Sequence, residues 1–487
     1  MNTPLLPTTR FLEQLETLLR TFDCQHYPAG NMPRYDWKKL VEAGVVLPII
    51  PRHLGGRGSH EEVCHIIRKA AYYNVSLAIY INITALLFIR NVMNHGSPQI
   101  RQAYLDDLYA HAALGGFAVT DPVSGSDPML MQAYYEKVEG GYRVTGRKHW
   151  QAFSKTADWW LIIAREAGDK AGELNGFIHK RANGGFDTIQ LYSPVGTRLI
   201  DYGMNRMNVF IPDHARLGVD HMSFTMLLEL VGAAWSQWAA IACGFLERIY
   251  VEAVTYVQRR PAASGTIMDI GYVQYRLGAM AAASHVCKAL YLYVLHQTDC
   301  VQSEIRDTFV VRAVKVLAAD LMLDAALHYQ QLCGGEGYRY HPSTNIAASA
   351  MQDARGFSIL GGSNDMIYPL ITRHFLDACG EQGHLTFFSM LGSAAHTAPA
   401  ARYMTAYAPA LEKMPESHTE MVLYGKVLAR LFGITAITLY SAEMELTETD
   451  LRSVIAFCVA GIAGIVAELA AADVIAGSTG KKTGHAL

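Results

Sequence analysis

Several stretches of this 487-residue chain put small residues, hydroxyls and aromatics together in patterns that can do chemistry. In Gly115–Asp127, GGFAVTDPVSGSD, the residues Thr120, Gly125 and Ser126 form a turn just after a β-rich run. Glycine and serine let backbone N–H groups approach an anion there, and Thr120 adds a hydroxyl. Taken alone, the same pattern also describes an ordinary β-turn. Further glycine-rich breaks occur in QLCGGEGYRYHP, with Gln331, Gly334 and Gly335, and in ILGGSN, with Gly361 and Ser363. The eight cysteines are scattered, with no C-x-x-C pair and no Cys/His ligand spacing, so neither a disulfide framework nor a metal site is expected. His149 and His221 are conceivable proton acceptors, and for each a solvated or hydrogen-bonded histidine is the alternative.

Composition narrows the class. Apolar residues make up 51% and charged residues 17%, as in ordinary globular proteins, and the chain is long enough for two to four packed units. A formal charge of −3 offers no basic face, so no nucleic-acid partner is expected. The N-terminal stretch MNTPLLPTTRFLEQLETLL has acids within its apolar run and no cationic start, unlike a signal peptide. The most apolar run, Ser453–Ala467, is closed by Arg452 and Glu468. It falls short of the roughly 20 residues a membrane span needs, so a buried helix, no membrane span and a reducing cytoplasm are expected.

These residues must be positioned by three kinds of segment. Residues 1–114 read as helices, with apolar faces at Phe11–Thr21, Asp36–Ala43, Glu61–Tyr72 and Val75–Val92. Over 115–215 the period shortens to β-rich runs at Gly115–Thr120, Gly141–Lys148, Trp159–Arg165, Gly176–His179 and Met207–Ile211, which predict an antiparallel β unit. Residues 216–380 return to long helices, Phe224–Arg259, Ile270–His296 and Ser303–Leu332. Residues 381–487 form an alanine-rich helical extension with a polar tail. The fold class is therefore α+β, with a sheet between helical layers.

The motifs, in this order, resemble the acyl-CoA dehydrogenase superfamily. TDPVSGSD resembles its Thr-Glu-Pro-x-x-Gly-Ser-Asp flavin loop. YDWKKLVEAGVVLPIIPRHLGGRGS, HGSPQIRQAYLDDL, GYRVTGRKHWQAFS, VFIPDHARLG, YVQRRPAASGTI, QLCGGEGYRYHP and MQDARGFSILGGSNDMIYPLITR look like its other blocks, covering roughly residues 30–375. The resemblance implies an N-terminal helical domain, a middle β domain and a C-terminal helical bundle. FAD would bind between the β domain, the bundle and a neighbouring subunit, so a homo-oligomer, dimer or tetramer, is expected. Thr120, Gly125, Ser126, Gln151 and Ala152 match positions around the flavin, and Trp150 matches the ring wall, an ordinary core aromatic being the alternative. Arg260, Gln331, Gly334 and Gly335 match the adenosine and pyrophosphate contacts, and Ser363 belongs to the matching turn. Arg198 matches a basic family position, with a solvated arginine as the alternative.

The departures concern chemistry. Members of the family remove the α proton of an acyl thioester with a glutamate, because that proton must pass to a base within hydrogen-bond reach. Here the two positions that hold the glutamate are Gly361 and Ala234; counting on from Phe224 and back from Arg260 both reach Ala234. Glu229 and Glu247 lie on other parts of the helix, and Asp365 is the one acid kept as a substitute. The family threonine that can donate to flavin N5 is replaced by Ala152. The phenylalanine and glutamine that cover the adenine are replaced by Ala263 and Gly271. The resemblance thus implies an atypical flavoenzyme acting on a thioester of coenzyme A or a carrier protein. The alternatives are a flavin monooxygenase of the same fold and a non-catalytic subunit of a heteromer.

Overall fold

The computed structural model describes residues 6–23, 31–125, 127–168, 174–218, 224–263, 265–301, 307–339, 345–380 and 386–477. Ser126, His221 and Cys24 lie outside these residues. The chain divides into two compact units, one of residues 1–245 with 298–306, the other of 246–297 with 307–487.

The first unit begins with helices α1 (Thr8–Arg20), α2 (Arg34–Glu42), α3 (His60–Tyr73), α4 (Val75–Asn82), α5 (Arg90–His95) and α6 (Pro98–His111). Between α4 and α5 the chain widens into a π-helix over Ile83–Ile89, so the helix expected at Val75–Val92 runs on to His95 with a changed pitch. Ser59, Asn74 and Ser97 cap α3, α4 and α6 by accepting amide hydrogens, as their side chains allow. Trp37, Tyr104 and Phe88 are fully buried among these helices, and Trp37 Nε1 donates to Ala112 O at 3.0 Å.

Among the described residues the sheet of this unit has seven strands: β1 (Gly115–Ala118), β2 (Tyr134–Val138), β3 (Gly141–Ala152), β4 (Trp159–Glu166), β5 (Leu174–Lys180), β6 (Phe186–Tyr192) and β7 (Tyr202–Pro212). Their order is β1-β4-β2-β3-β7-β6, with β5 also beside β4. The expected antiparallel unit is instead a mixed sheet, because both β1 and β2 run parallel to β4. The β2–β3 hairpin interrupts the path from β1 to β4, so β4 returns in the direction of β1 rather than folding back on it.

The helix expected over Phe224–Arg259 is two helices, α7 (Phe224–Ser236) and α8 (Trp238–Arg259), broken at Gln237. Side chains have taken the carbonyls that would carry the ladder across. Asn82 Nδ2 donates to Ala234 O at 3.1 Å, and Ser236 Oγ donates to Ala233 O at 2.8 Å.

The second unit contains the rest of α8, a small hairpin of β8 (Pro261–Ala262) and β9 (Gly265–Thr266), and helices α9 (Gly271–Gln297), α10 (Thr308–Cys333), α11 (Ala347–Phe357) and α12 (Asn364–Gly380). The extension adds α13 (Phe387–Leu391), α14 (Ala398–Ala401), α15 (His418–Tyr440) and α16 (Glu448–Gly477). Helix α15 lies so close to α12 that a Cβ on Gly425 would stand 2.3 Å from Tyr368 O.

Among the described residues, five helical stretches are long and apolar enough to cross a membrane by length and composition. Four are 67–89% buried within the protein, whereas Glu448–Ala472 is 28% buried. The buried helix expected at Ser453–Ala467 is therefore an exposed one. Val454, Ile455, Cys458, Ile462 and Ile465 line its covered side, and Ala456, Ala460, Gly464 and Ala467 its outer side. Composition made the run look buried because alanine and glycine count as apolar but present little surface to hide.

Candidate functional site

In the first unit, the chain after β1 is held by buried charges. The Asp121 carboxylate, 1% exposed, accepts the backbone N–H of Ser124 at 2.9 Å, Gln132 at 2.5 Å and Ala133 at 3.2 Å. Burial pushes its carboxyl up, but the Ser124 and Gln132 donors and the Lys148 ammonium outweigh this, and the net shift is downward. Lys148 is fully buried on β3 and donates from Nζ to Val119 O at 2.5 Å and Met131 Sδ at 3.1 Å. Burial lowers its ammonium to about 7, against the opposing pull of Asp121. Together they fix both ends of the Thr120 turn, in which Gly125 is exposed at φ 54°.

The same turn is tied to β3. Thr120 O accepts the backbone N–H of His149 and the Nε2 of Gln151, both at 3.0 Å. Between His149 and Gln151 the β3–β7 register slips, leaving Trp150 as the extra residue of a bulge. Trp150 has φ 55°, which a bulky L-residue adopts only when its surroundings impose it. The bulge turns the indole outward, 50% exposed, with Tyr192 at 4.6 Å and Tyr202 at 6.1 Å between ring centroids. Gln151 is buried, and among the described residues its Oε1 has no hydrogen-bond partner. Ala152 is buried and offers no hydroxyl. His149 is half-buried, and burial holds its imidazole below the usual range, opposed by Asp121.

Ala234 is 2% exposed on α7. In the second unit the other expected base position, Gly361, sits in a turn with φ 66°, followed by Gly362 at 95°. Lys315, fully buried on α10, holds this turn by donating from Nζ to Gly362 O at 2.6 Å and Asn364 Oδ1 at 2.7 Å. Asn364 in turn donates to Asp320 Oδ1 at 2.8 Å, and Tyr368 donates to Asp320 Oδ2. Burial lowers the Lys315 ammonium to about 7, while Asp320 and Asp365 act to raise it. Asp365 is exposed on the first turn of α12, and Ser363 O accepts Met366 N at 3.0 Å. Sequence reasoning missed Lys315 and Lys148; for Lys315 the signal was a lone lysine in the apolar run AVKVLAA.

Elsewhere in the second unit, exposed Arg260 donates to Cys333 O at 3.1 Å and Tyr256 Oη at 2.8 Å. Its Nη1 would be 3.4 Å from a Cβ at Gly334, whose φ is 59°. Gln331 and Gly335 are exposed beside it, and Gln331 O accepts the Gly334 N–H. The structure thus brings Thr120, Trp150 and Gln151 together in one unit, and Arg260, Gln331, Gly334 and Gly335 together in the other. Among the described residues no group of three or more His, Cys, Asp or Glu could hold a metal ion, and all seven described cysteines are buried.

Residues 13–111, 116–208 and 236–376 match the N-terminal, middle and C-terminal domains of acyl-CoA dehydrogenase. The chain belongs to the acyl-CoA dehydrogenase family, whose fold it has, and is an FAD-dependent oxidoreductase. It is 25% identical to the mitochondrial isovaleryl-CoA dehydrogenase of Oryza sativa subsp. japonica over 69% of this chain and 82% of that protein. The acyl-CoA dehydrogenase of Bacillus anthracis complexed with FAD shares the fold with a TM-score of 0.80 at 16% identity, over 98% of this chain and 92% of that one. The prolyl acyl carrier protein oxidase AnaB shares it with a TM-score of 0.66 at 17% identity, over 76% and 99%.

The side chains present suit this cofactor. Trp150 offers an open aromatic face, Gln151 Oε1 a buried unpaired acceptor, and Arg260 with Gly334 a cation beside a backbone without Cβ.

Proposed function

We propose that this chain oxidises an acyl thioester, carried by coenzyme A or by a carrier protein, without a glutamate at either base position. The observation that carries the reading is the bulge at Trp150, a strained backbone that displays an indole beside the turn bonded to Gln151. Bound FAD supplies the two-electron acceptor for such an oxidation.

In this reading Trp150 walls the isoalloxazine, and Thr120, Gly125 and Ser126 meet its edge and the pyrophosphate. Gln151 fixes the turn, and Ala152 leaves the N5 side without a hydroxyl donor. Arg260, Gln331, Gly334 and Gly335 serve the adenosine and pyrophosphate of a neighbouring subunit, with Ser363 in the turn Lys315 supports, so the working form is a homo-oligomer. The proton at the α carbon, whether or not the acyl group itself acidifies it further, goes to a group other than a glutamate; Asp365 is the retained substitute. A carrier-protein thioester stands beside coenzyme A because AnaB, of the same fold, is a prolyl acyl carrier protein oxidase. Location in the cytoplasm belongs to the same reading.

The test is the visible absorption spectrum of the purified protein under anaerobic addition of a panel of acyl thioesters. Bleaching of the flavin by a thioester supports the reading. Turnover only with NAD(P)H and oxygen would replace it with the monooxygenase. A protein that takes up no flavin even on reconstitution would leave the non-catalytic subunit.

A further inference from the structure

The first turns of α9 form an unusual surface. Gly271, Tyr272, Gln274, Tyr275 and Gly278 are all exposed. Tyr272 and Tyr275, 63% and 64% exposed, stack on each other with centroids 5.5 Å apart and planes within 14°. The Arg276 guanidinium lies 5.0 Å from the Tyr272 ring centre and is fixed from α10 by His328 Nδ1 at 2.8 Å. A Cβ at Gly271 or Gly278 would meet nothing within 4 Å, so the ground on either side of the rings is low. Two parallel rings held this far into solvent, with a fixed cation over Tyr272, suit a flat heteroaromatic partner carrying negative charge.

This ledge adjoins the Arg260 region. The β8–β9 hairpin brings the chain back so that Ile267 N donates to Arg260 O at 3.0 Å. Tyr272 follows Ile267 by way of the short 3-10 turn Ile267–Asp269 and stands in the first turn of α9. The residues standing where an adenine would otherwise be covered, Ala263 and Gly271, have no ring to offer.

The geometry points to the Tyr272–Tyr275 pair, with Arg276 over Tyr272, as the stacking surface for the adenine of FAD, with the pyrophosphate toward Arg260. This rests on the reading that Arg260 and Gly334 face the adenosine half of the cofactor. The pair is a specificity device: it favours FAD over FMN, which has no adenine.

The experiment titrates apoprotein with FAD and with FMN, reading flavin fluorescence, in wild type, Tyr272→Ala/Tyr275→Ala and Tyr272→Phe/Tyr275→Phe. Sedimentation velocity is run on each. Wild type should prefer FAD. The double alanine variant should lose about 5- to 150-fold in FAD affinity, the range for one base–aromatic stack, with FMN affinity unchanged. The double phenylalanine variant should keep the preference, since the rings remain. An unchanged preference in the alanine variant overturns the inference. So does an equal loss of FAD and FMN accompanied by a smaller sedimenting species, which would make the pair a contact with a second copy of the chain. If thioesters fail to bleach a flavin that all three proteins bind as expected, the proposed oxidation falls while the adenine ledge stands. Bleaching with no loss of preference in the alanine variant has the opposite meaning.

Discussion

Lys315 offers a test of how the turn at Gly361 is held. Its ammonium has no exposure to solvent, and both its acceptors, Gly362 O and Asn364 Oδ1, belong to that turn. The folded-state value of about 7 lies below the ordinary 10.5, so between these values the unfolded chain binds the proton and the folded chain does not. Stability therefore rises with pH across that window and is smallest below it. From pH 7 to pH 9.5 the gain is about 3 kcal/mol, from 1.36 kcal/mol per unit less the half-titration already present at pH 7. Lys315→Met keeps the bulk and removes the proton, so it should lack this slope while leaving two acceptors unpaired.

The assay is urea denaturation of the wild type and Lys315→Met at pH 7 and pH 9.5, followed by a probe in the helical unit. Comparison as a difference removes the titrations common to both proteins, Lys148 among them. The gap between the two proteins should widen in favour of the wild type by about 3 kcal/mol at the higher pH. Parallel pH dependences, within about 0.5 kcal/mol, would refute the idea that a neutral lysine amine holds the turn.

Trp150→Gly should leave the melting temperature unchanged or raised, because glycine accepts φ 55° without strain worth about 1–2 kcal/mol, while flavin retention in the purified protein falls. Asp121→Ala should destabilise by about 2–4 kcal/mol in denaturant at pH 7, since buried amides lose their acceptor. Its carboxyl is depressed in the folded state, so the contribution is complete above 3.8 and disappears as pH falls through the lower folded value; the variant's stability curve should be flatter there. Gly425→Leu should cost about 1–3 kcal/mol or more because its Cβ would overlap Tyr368 O, whereas Gly464→Leu, with nothing within 4 Å, should be near neutral; thermal melts of the pair measure the docking of the extension.

The ordered motifs made the fold legible, with N-terminal helices, a middle β domain and a C-terminal bundle, because each motif joins a backbone requirement to a side-chain role. The features that operate between distant segments were not. The break at Gln237 depends on Asn82, which sits far away in sequence and reaches Ala234 O. The outward turn of Trp150 depends on a register slip against β7. Strands β2 and β6 went unread because their burial alternates weakly, and β6 keeps only Phe186 buried. Lys315 was visible as a lone lysine in an apolar run, but each of the two buried lysines, Lys148 and Lys315, has a backbone carbonyl among its partners, which no sequence pattern names.

The two positions without a glutamate are not equivalent, and the structure predicts different outcomes for restoring a carboxylate at each. Gly361 has φ 66° and precedes a second left-handed glycine, so a glutamate there would strain the turn by about 1–2 kcal/mol and shift the carbonyl that Lys315 holds. Ala234 lies in a right-handed helix, where glutamate is an ordinary residue, and its 2% exposure would raise the carboxyl toward neutrality, as a general base requires. Ala234→Glu should therefore speed anaerobic flavin bleaching by a saturated acyl-CoA about 100-fold or more. Gly361→Glu should lower the melting temperature without a rate gain. If Ala234→Glu binds flavin, melts normally and gains nothing, the alignment that places this residue at the reacting carbon is wrong. A gain in Gly361→Glu instead would move the base position to the turn.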